Sequence, residues 1–292
     1  MKVIPIRPRG FCPGVVKAIQ IVEDVIKDPS YPRPIQILGM IVHNRHVVED
    51  FQSRGVISIE GFHESRLEMI SKVVPGTVII TAHGISDFVR QQLKDLHVVL
   101  VDATCRDVSR TQNLVKSHLS QNDEILYIGK RNHPETESVQ ELSSKVHVIE
   151  SISDFKNLKL HTEKLFVTNQ TTFSIRDIEP ILHEIRETYP FAVISDEICD
   201  STRIRQEAIL ETNKNIDVCF IVGDPRSNNT KNLVKISIEE TKTPTYLIET
   251  ENDITEMMLK GVNSVSVSSG ASTPNQITKR VIEYLNLYRE IE

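Results

Sequence analysis

The chain of 292 residues has no tryptophan, only four cysteines and no low-complexity tract. Four cysteines are too few for the disulfide framework of a small secreted protein, so they are better explained as ligands, nucleophiles or core thiols. The net charge is −6 and there is no basic block, which argues against nucleic acid as the main partner. No apolar run reaches the roughly 18–20 residues of a membrane span, and the first residues turn polar too soon for a secretion signal. We therefore expect a cytoplasmic protein without a membrane partner.

Three of the cysteines recur at near-equal intervals. Cys12, Cys105 and Cys199 are separated by 93 and 94 residues, which is close to one third of the chain. Each follows an apolar run that is typical of a buried strand and precedes a helical pattern. Because sites in parallel α/β sheets are built at the carboxyl ends of the strands, the spacing predicts three copies of one unit whose thiols face a common centre. The three apolar runs are Val3–Ile6, Val98–Val101 and Ala192–Ile194.

The patterns between the cysteines repeat the same order of strands and helices. They predict an α/β protein of three similar βα-repeat lobes, each with a four-stranded, mostly parallel sheet and flanking helices, arranged as a pseudo-threefold trefoil. We expect the lobes to span residues 13–104, 105–198 and 199–292, with the strand in residues 1–12 completing the third lobe. The remaining cysteine, Cys219, lies inside a strand pattern and is predicted to be a core thiol.

Polar residues stand at matching offsets from the three cysteines. About 30 residues after them come His43, His133 and Asn229, and about 70 residues after them come His83, Thr171 and Ser272. All six follow predicted strands, so the sequence predicts that they gather at the carboxyl edges of the sheets. Structural roles are expected for the other seven histidines, which are His46, His63, His97, His118, His147, His161 and His183.

Three thiols without a fourth suit a [4Fe–4S] cluster with one iron left open, because thiolate is the usual iron–sulfur ligand. A Cys₃His zinc site is the second interpretation, although structural zinc ligands usually come in closely spaced pairs. Unrelated thiols are the third. The spacing alone leaves all three interpretations open.

A further group of residues has the chemistry of an anion pocket. Imidazoles, hydroxyls and amides after strands, near helix N-termini, are the groups that bind phosphate or diphosphate. The sequence contains neither a Walker A motif nor G-x-G-x-x-G, so a nucleotide is not expected. Glu135 lies in the loop that follows His133, where a buried carboxyl group could hold and deliver a proton, with Thr171 as relay. The anion group consists of His43, His83, Ser227, Asn229 and Ser272.

Several short motifs, in this order along the chain, resemble the LytB/IspH family of 4-hydroxy-3-methylbut-2-enyl diphosphate reductases. The resemblance spans nearly the whole chain and is far more specific than any single motif. The motifs are Gly10-Phe11-Cys12-Pro13-Gly14-Val15, Ile41-Val42-His43-Asn44, Ala82-His83-Gly84, Asp102-Ala103-Thr104-Cys105, His133-Pro134-Glu135, Gln170-Thr171-Thr172, Cys199 with Thr202, Arg205 and Gln206, and Gly270-Ala271-Ser272.

The resemblance implies a three-lobed fold around an oxygen-sensitive [4Fe–4S] cluster held by Cys12, Cys105 and Cys199. It implies an iron–sulfur reductase of the non-mevalonate isoprenoid pathway, which removes the allylic hydroxyl of its diphosphate substrate with two electrons and protons and yields isopentenyl and dimethylallyl diphosphates. The open iron would take the hydroxyl oxygen, and a small ferredoxin or flavodoxin would deliver the electrons.

The resemblance also implies roles for individual residues. Glu135, with Thr171 and His133, would supply the proton with which the hydroxyl leaves as water. The substrate-binding residues would be His43, His83, His133, Thr171, Ser227, Asn228, Asn229 and Ser272.

The chain departs from the family pattern at several positions, none of which is a cluster ligand or Glu135. Asn228 replaces a serine in the diphosphate loop, and Arg106 and Arg203 add positive charge next to cysteines. These changes motivate an alternative, a divergent regulator that binds a cluster or metal without catalysis. A zinc hydrolase is a more distant alternative, because the histidines lie in separate loops with no H-E-x-x-H helix. The other departures are Pro13, Asn132 and Asn275.

Overall fold

Three four-stranded parallel sheets form the framework of the protein, and all three have the same strand order. The computed structural model describes residues 1–61 and 64–288, so His63 and the last four residues of the predicted third lobe lie outside the described part. If the strands that follow each cysteine along the chain are numbered from one, every sheet has the spatial order second, first, third, fourth. The strand at the start of the chain counts as the fourth strand of the third sheet. Each fourth strand is followed by one of the three cysteines. The predicted α/β class with three repeated parallel sheets is therefore confirmed.

The first sheet has the order β3-β2-β4-β5. Its two central strands are buried along their whole length, as their continuous apolar sequences predict for a parallel sheet covered on both faces. The strands are β2 (Ile35–Leu38), β3 (Ile57–Ile59), β4 (Thr77–Ile80) and β5 (Val99–Asp102), and the helices of this stretch are α1 (Pro13–Lys27), α2 (Arg45–Ser53), α3 (Arg66–Met69) and α4 (Asp87–Asp95).

The second sheet has the order β7-β6-β8-β9. Its fourth strand is only two residues long and pairs with β8 through Val193 and Ile194. Ser174 caps the last helix of this stretch, because its hydroxyl accepts the N–H groups of Arg176 and Asp177 at 3.3 Å. The strands are β6 (Glu124–Ile128), β7 (Val146–Ile149), β8 (Leu165–Asn169) and β9 (Val193–Ile194), and the helices are α5 (Arg106–Ser120), α6 (Pro134–Gln140), α7 (Ile152–Asn157) and α8 (Ile175–Thr188).

The third sheet has the order β11-β10-β12-β1, so the strand at the start of the chain supplies its fourth position. Lys2 to Pro5 pair in parallel with Ser264 to Val267. Cys219 is fully buried in β10, which confirms its prediction as a core thiol. The strands are β1 (Lys2–Pro5), β10 (Val218–Val222), β11 (Thr245–Ile248) and β12 (Ser264–Ser269), and the helices are α9 (Asp200–Thr212), α10 (Asn228–Thr241), α11 (Glu256–Leu259) and α12 (Asn275–Leu287).

The chain divides into two compact units. The first unit contains residues 1–13, 43–46 and 200–288, and therefore the third sheet. The second unit contains residues 14–42, 47–61 and 64–199, and therefore the first and second sheets. The lobe boundaries at 104/105 and 198/199 and the trefoil arrangement stay predictions. Within residues 1–61 and 64–288, none of the helices combines the length and apolarity that a membrane crossing requires.

Two of the histidines that were assigned structural roles bind carboxylates beside the second sheet. His118 Nδ1 lies 2.7 Å from Asp123 Oδ2, and His147 Nε2 lies 2.7 Å from Glu124 Oε2. The His118 ring also stacks on Phe166, with 3.7 Å between ring centroids. These contacts hold helix and strand ends together and leave both rings outside the set of predicted site residues.

A buried arginine packs against a glycine at the end of β2. Arg66 is 6% exposed, and its backbone N–H donates to Glu137 Oε1 at 3.3 Å. Gly39 has a φ of +96°, and a methyl group at this position would lie 2.4 Å from Arg66 Nη1. The positive φ favours glycine at this position, and an added methyl group would force the buried Arg66 guanidinium group to move.

We expect Gly39→Ala to lower the free energy of unfolding by about 2–4 kcal/mol, because it adds a steric conflict with Arg66 to the cost of a positive φ. Gly55→Ala is the matched control: Gly55 has a φ of +84° with nothing within 4 Å of the added methyl group, so about 1–2 kcal/mol is expected. Urea unfolding measures both. Equal losses in the two variants would contradict the proposed role of Arg66.

Candidate functional site

The three repeat cysteines occupy equivalent positions in the three sheets. Each follows the fourth strand of a sheet, stands immediately before the first residue of a helix, and is partly buried. The backbone N–H of each cysteine also donates to a carbonyl in the loop after the third strand of the same sheet. These bonds, each 3.0 Å long, run from Cys12 to Ala271, from Cys105 to Ala82 and from Cys199 to Thr171.

We refer to these three contacts as the cysteine tethers. Each tether joins a thiol loop to a loop that carries a predicted site residue: Ser272 follows Ala271, His83 follows Ala82, and Thr171 is itself the acceptor. The thiols also lie near helix N-termini, whose partial positive charge stabilises negatively charged ligands such as thiolates. The repeat thus places a thiol and a polar side chain together three times.

In the second unit, an ion pair joins the helix after Cys105 to the loop before Cys199. Arg110, one turn into the helix that Cys105 precedes, donates from Nε to Glu197 Oε2 at 2.7 Å. Glu197 lies two residues before Cys199, is 4% exposed, and accepts the Ser195 hydroxyl at 2.7 Å. Because a buried carboxylate needs such partners, this pair fixes the loop that approaches Cys199 against α5.

Glu135 is buried at the start of α6, with 1% exposure. His133 is the N-cap of that helix and Pro134 its first residue, a position that suits proline because the first helical N–H groups have no partner within the helix. Thr171 holds the Glu135 carboxyl group twice: its backbone N–H lies 2.7 Å from Oε1 and its hydroxyl 3.0 Å from Oε2. The structure therefore brings Glu135, Thr171 and His133 together, as the sequence predicted.

Burial raises the pKa of Glu135 from its ordinary value to about 7. The backbone N–H and hydroxyl of Thr171 and the hydroxyl of Tyr127 oppose this shift, because they donate to the carboxylate. The Tyr127 hydroxyl lies 3.5 Å from Glu135 Oε1, and the ring is fully buried in β6. Glu135 thus exchanges its proton near neutral pH, as a general acid must.

Two imidazoles of the predicted site lie against each other in the same unit. The rings of His83 and His133 meet edge to face, with 5.4 Å between centroids. His133 Nδ1 accepts the backbone N–H of Glu135 at 3.2 Å, so in a neutral ring the proton sits on Nε2, which is then a hydrogen-bond donor. His83 Nδ1 lies 3.4 Å from the Thr81 hydroxyl.

The other predicted anion ligands belong to the first unit. Ser227 caps α10 by accepting the Thr230 N–H at 3.3 Å, and Asn228 is the first residue of that helix. Ser272 is 7% exposed and donates its hydroxyl to the backbone carbonyl of His43 at 2.9 Å. A helix N-terminus lined by hydroxyl and amide groups is suited to bind an anion.

Asn229 is also a structural link. Its Oδ1 accepts the N–H of Ala271 at 3.0 Å, and its Nδ2 donates to the Thr202 hydroxyl at 3.3 Å. The side chain thereby joins the start of α10 to the loop of the Cys12 tether and to α9. One amide hydrogen is left for a ligand.

Sequence reasoning did not identify Asp224, which organises the same loop. Asp224 is 2% exposed and accepts the backbone N–H of Arg45 at 2.9 Å and the Arg226 guanidinium at 2.8 Å. Burial opposes ionisation of this carboxyl group, but the hydrogen bonds and charge of Arg226 lower its pKa below the ordinary value. Tyr127 and Glu197 were missed as well. No sequence pattern indicates that the strand residue Tyr127 contacts Glu135 or that the loop residue Glu197 pairs with Arg110.

Known proteins match this chain along almost its whole length. The family model described as LytB protein matches residues 3–286. A Geobacillus sp. (strain WCH70) protein and a Geobacillus kaustophilus (strain HTA426) protein, both named 4-hydroxy-3-methylbut-2-enyl diphosphate reductase, are each 44% identical over 289 residues, which is 99% of this chain and 91% of each relative.

Two solved structures resemble the fold. The E-1-hydroxy-2-methyl-but-2-enyl-4-diphosphate reductase from Plasmodium falciparum superposes with a TM-score of 0.89 at 32% identity, over 98% of this chain and 87% of that chain. An (E)-4-hydroxy-3-methyl-but-2-enyl diphosphate reductase, described as the terminal enzyme of the non-mevalonate pathway, gives a TM-score of 0.67 at 28% identity, over 99% of this chain and all of that chain.

We expect Glu135→Gln to stabilise the metal-free protein at pH 8 but not at pH 4. A carboxyl group whose folded-state pKa is raised from 4.5 to about 7 favours the folded state fully below pH 4.5, and this contribution is lost as pH rises through 7. The gain at pH 8 is at most about 3 kcal/mol, from 1.36 kcal/mol per pKa unit. Denaturant unfolding at both pH values measures it, with the exposed Glu163→Gln as control. A gain that does not depend on pH would contradict the pKa of Glu135.

Proposed function

Because this chain belongs to the LytB protein family, we propose that it performs the reaction for which its relatives are named, the reduction of 4-hydroxy-3-methylbut-2-enyl diphosphate. It is an enzyme of the non-mevalonate isoprenoid pathway, and its products are isopentenyl and dimethylallyl diphosphates. The observation that carries the proposal is the threefold recurrence of the cysteine tether, which gives each sheet one thiol beside one polar site loop.

The chemistry of the donor set fits the iron–sulfur cofactor on which the family depends. Cys12, Cys105 and Cys199 all carry reduced thiols near helix N-termini, whereas Cys219 is fully buried in the third sheet. Three cysteine ligands suit a [4Fe–4S] cluster in which one iron has no protein ligand. When bound, this cluster supplies electrons and a Lewis-acidic iron for the hydroxyl group of the substrate.

The protein residues supply the proton. The reaction consumes two electrons and two protons: the bond between carbon and the hydroxyl oxygen breaks, the oxygen leaves as water, and a new C–H bond forms. Glu135 holds a proton near pH 7, and the Thr171 hydroxyl, 3.0 Å from its Oε2, relays that proton to the leaving oxygen. His133 orients the start of the helix through its bond to the Glu135 N–H.

The diphosphate is bound by the hydroxyl, amide and imidazole groups at the sheet edges. The Ser227 hydroxyl and the amide groups at the start of α10 donate to its oxygens, and the N-terminus of α10 adds a favourable dipole. The Ser272 hydroxyl, which donates to the His43 carbonyl in the free protein, turns to the diphosphate when it binds. The full proposed set is His43, His83, His133, Thr171, Ser227, Asn228, Asn229 and Ser272.

The electrons come from a small ferredoxin or flavodoxin. We place the enzyme in the cytoplasm, where cysteine thiols stay reduced. The alternative, a non-catalytic regulator on the same scaffold, receives no support from the two Geobacillus relatives, which are named as the reductase.

We expect Cys12→Ser, Cys105→Ser and Cys199→Ser each to lose most of the bound iron, and Cys219→Ser to keep it. Anaerobic purification with iron and sulfide analysis tests this, with about four of each per wild-type chain. Cys219→Ser controls for the effect of replacing a thiol group by a hydroxyl group. Zinc in place of iron in the wild type would overturn the cofactor assignment.

We expect Glu135→Gln to lower kcat by at least about 100-fold with an unchanged iron content, because general acid catalysis typically contributes 10²–10⁴-fold. Glu137→Gln is the matched control, since it makes the same change two residues further along α6 and keeps the acceptor for the Arg66 N–H. Turnover of the substrate with a viologen reductant is the measurement. An active Glu135→Gln variant would remove Glu135 from the mechanism, and a wild type with a cluster but no turnover would favour the regulator.

We expect Ser227→Ala to raise KM about tenfold, because it removes one hydrogen bond to a charged group, worth about 1.5 kcal/mol. The same change removes a helix cap and costs about 1 kcal/mol of stability. Ser151→Ala removes the equivalent cap of α7 and should cost similar stability with an unchanged KM. If both variants raised KM equally, the effect would come from stability and not from diphosphate binding.

A further inference from the structure

A groove of about 810 Å³ lies beside the segment that leads to Cys12. One wall is the loop after β1, with Arg7, Pro8 and Arg9, and the other is α12, with Lys279, Ile282 and Glu283. We call it the Arg7–Arg9 groove. None of these residues is part of the proposed catalytic or diphosphate-binding set.

The charge of this groove is opposite to that of the chain as a whole. Three cations line it against one carboxylate, although the chain carries a net charge of −6. The carboxylate, Glu283, lies 3.4 Å from Lys279, and both side chains are more than half exposed, so this pair is weak.

The two arginines have no carboxylate partner among residues 1–61 and 64–288. Arg9 donates to the backbone carbonyl of Ile6 at 3.3 Å, and its pKa is lowered by partial burial and by the positive charge of Arg7. Two guanidinium groups that repel each other are a cost to the folded chain, and an anionic partner would relieve it.

Both walls of the groove lead into the Cys12 thiol loop. Arg9 precedes Cys12 by three residues, and α12 begins four residues after Ala271, the residue that accepts the Cys12 N–H at 3.0 Å. A protein docked on this groove would therefore stand within a few residues of one proposed cluster ligand. This location favours an electron carrier over a small anionic ligand, which has no chemical reason to bind beside the thiol loop.

We propose that the Arg7–Arg9 groove is the docking surface for an acidic electron-carrier protein. This inference rests on the proposed function, because the reduction needs two electrons and the chain has no flavin or nicotinamide motif of its own. Each encounter with a one-electron carrier oxidises that carrier by one electron, so two encounters complete one C–O cleavage. Complementary charge accelerates and orients such transient encounters, whose interfaces are small.

The test is direct binding of a purified flavodoxin to the cluster-loaded protein at low and high salt. Arg7→Glu and Lys279→Glu both change exposed side chains, and we expect each to weaken binding about tenfold at low salt and to reduce its salt dependence. Lys214→Glu is the matched control. Lys214 is exposed and precedes β10, so it lies at the amino end of the strands of this parallel sheet, whereas Arg7 and Arg9 follow the carboxyl end of β1. Binding of flavodoxin should therefore be unchanged.

Kinetics separate docking from catalysis. With reduced flavodoxin as donor, both groove variants should raise the KM for flavodoxin about tenfold, whereas turnover driven by a reduced viologen should match the wild type. Flavodoxin binding that neither variant weakens would overturn the docking proposal. A second outcome would also overturn it: the wild type binds inorganic diphosphate, and Arg7→Glu abolishes this binding but keeps the binding of flavodoxin. The groove would then be a site for small anions. Absence of viologen-driven turnover in the wild type would count against the proposed function and leave the binding result to decide on the groove.

Discussion

The cysteine tether is the contact on which the proposed site depends. A single backbone hydrogen bond, formed at 3.0 Å in each sheet, holds a thiol loop against the loop after the third strand. Because both partners are main-chain groups, the tether fixes the position of the thiol without using any side chain. The side chains of these loops are therefore left for chemistry, and they differ between the sheets: an imidazole at His83 and hydroxyl groups at Thr171 and Ser272.

The environment of Glu135 shows how one loop sets both the position and the acidity of a carboxyl group. Burial favours the protonated form, and two bonds from Thr171 favour the ionised form. Burial is the larger effect, so the pKa rises, and the bonds from Thr171 limit the rise to about 7. In the first unit the balance differs: Asp224 is equally buried, but the Arg226 guanidinium keeps it ionised. The same physical effects thus give a carboxyl group that titrates near neutral pH at one sheet edge and an ionised carboxylate at another.

The repeat, the parallel sheets and the meeting of Glu135, Thr171 and His133 could be predicted from sequence, because strand periodicity and the cysteine spacing are local or regular signals. The bond from Arg45 to Asp224 and the pairing of Arg110 with Glu197 could not, because they join residues far apart in the chain and depend on how loops pack. Asn229 shows that even a residue whose position is predicted correctly can have contacts that the sequence does not reveal. Its position after a strand pointed to anion binding, but its bonds to Ala271 and Thr202 appear only in the fold.

The shortness of β9 affects how firmly the segment before Cys199 is held. Val193 and Ile194 are the two residues of β9 that pair with β8, and the Ser195 N–H adds one bond to the Val167 carbonyl at 2.9 Å. Val193 is exposed and Ile194 is partly buried. Edge segments with so few ladder bonds open by local fluctuation, at a much smaller free energy than global unfolding, and exchange their amide hydrogens first. Of the three thiols, Cys199 thus follows the shortest fourth strand, and the Arg110–Glu197 ion pair adds a contact that holds the loop before Cys199 against α5.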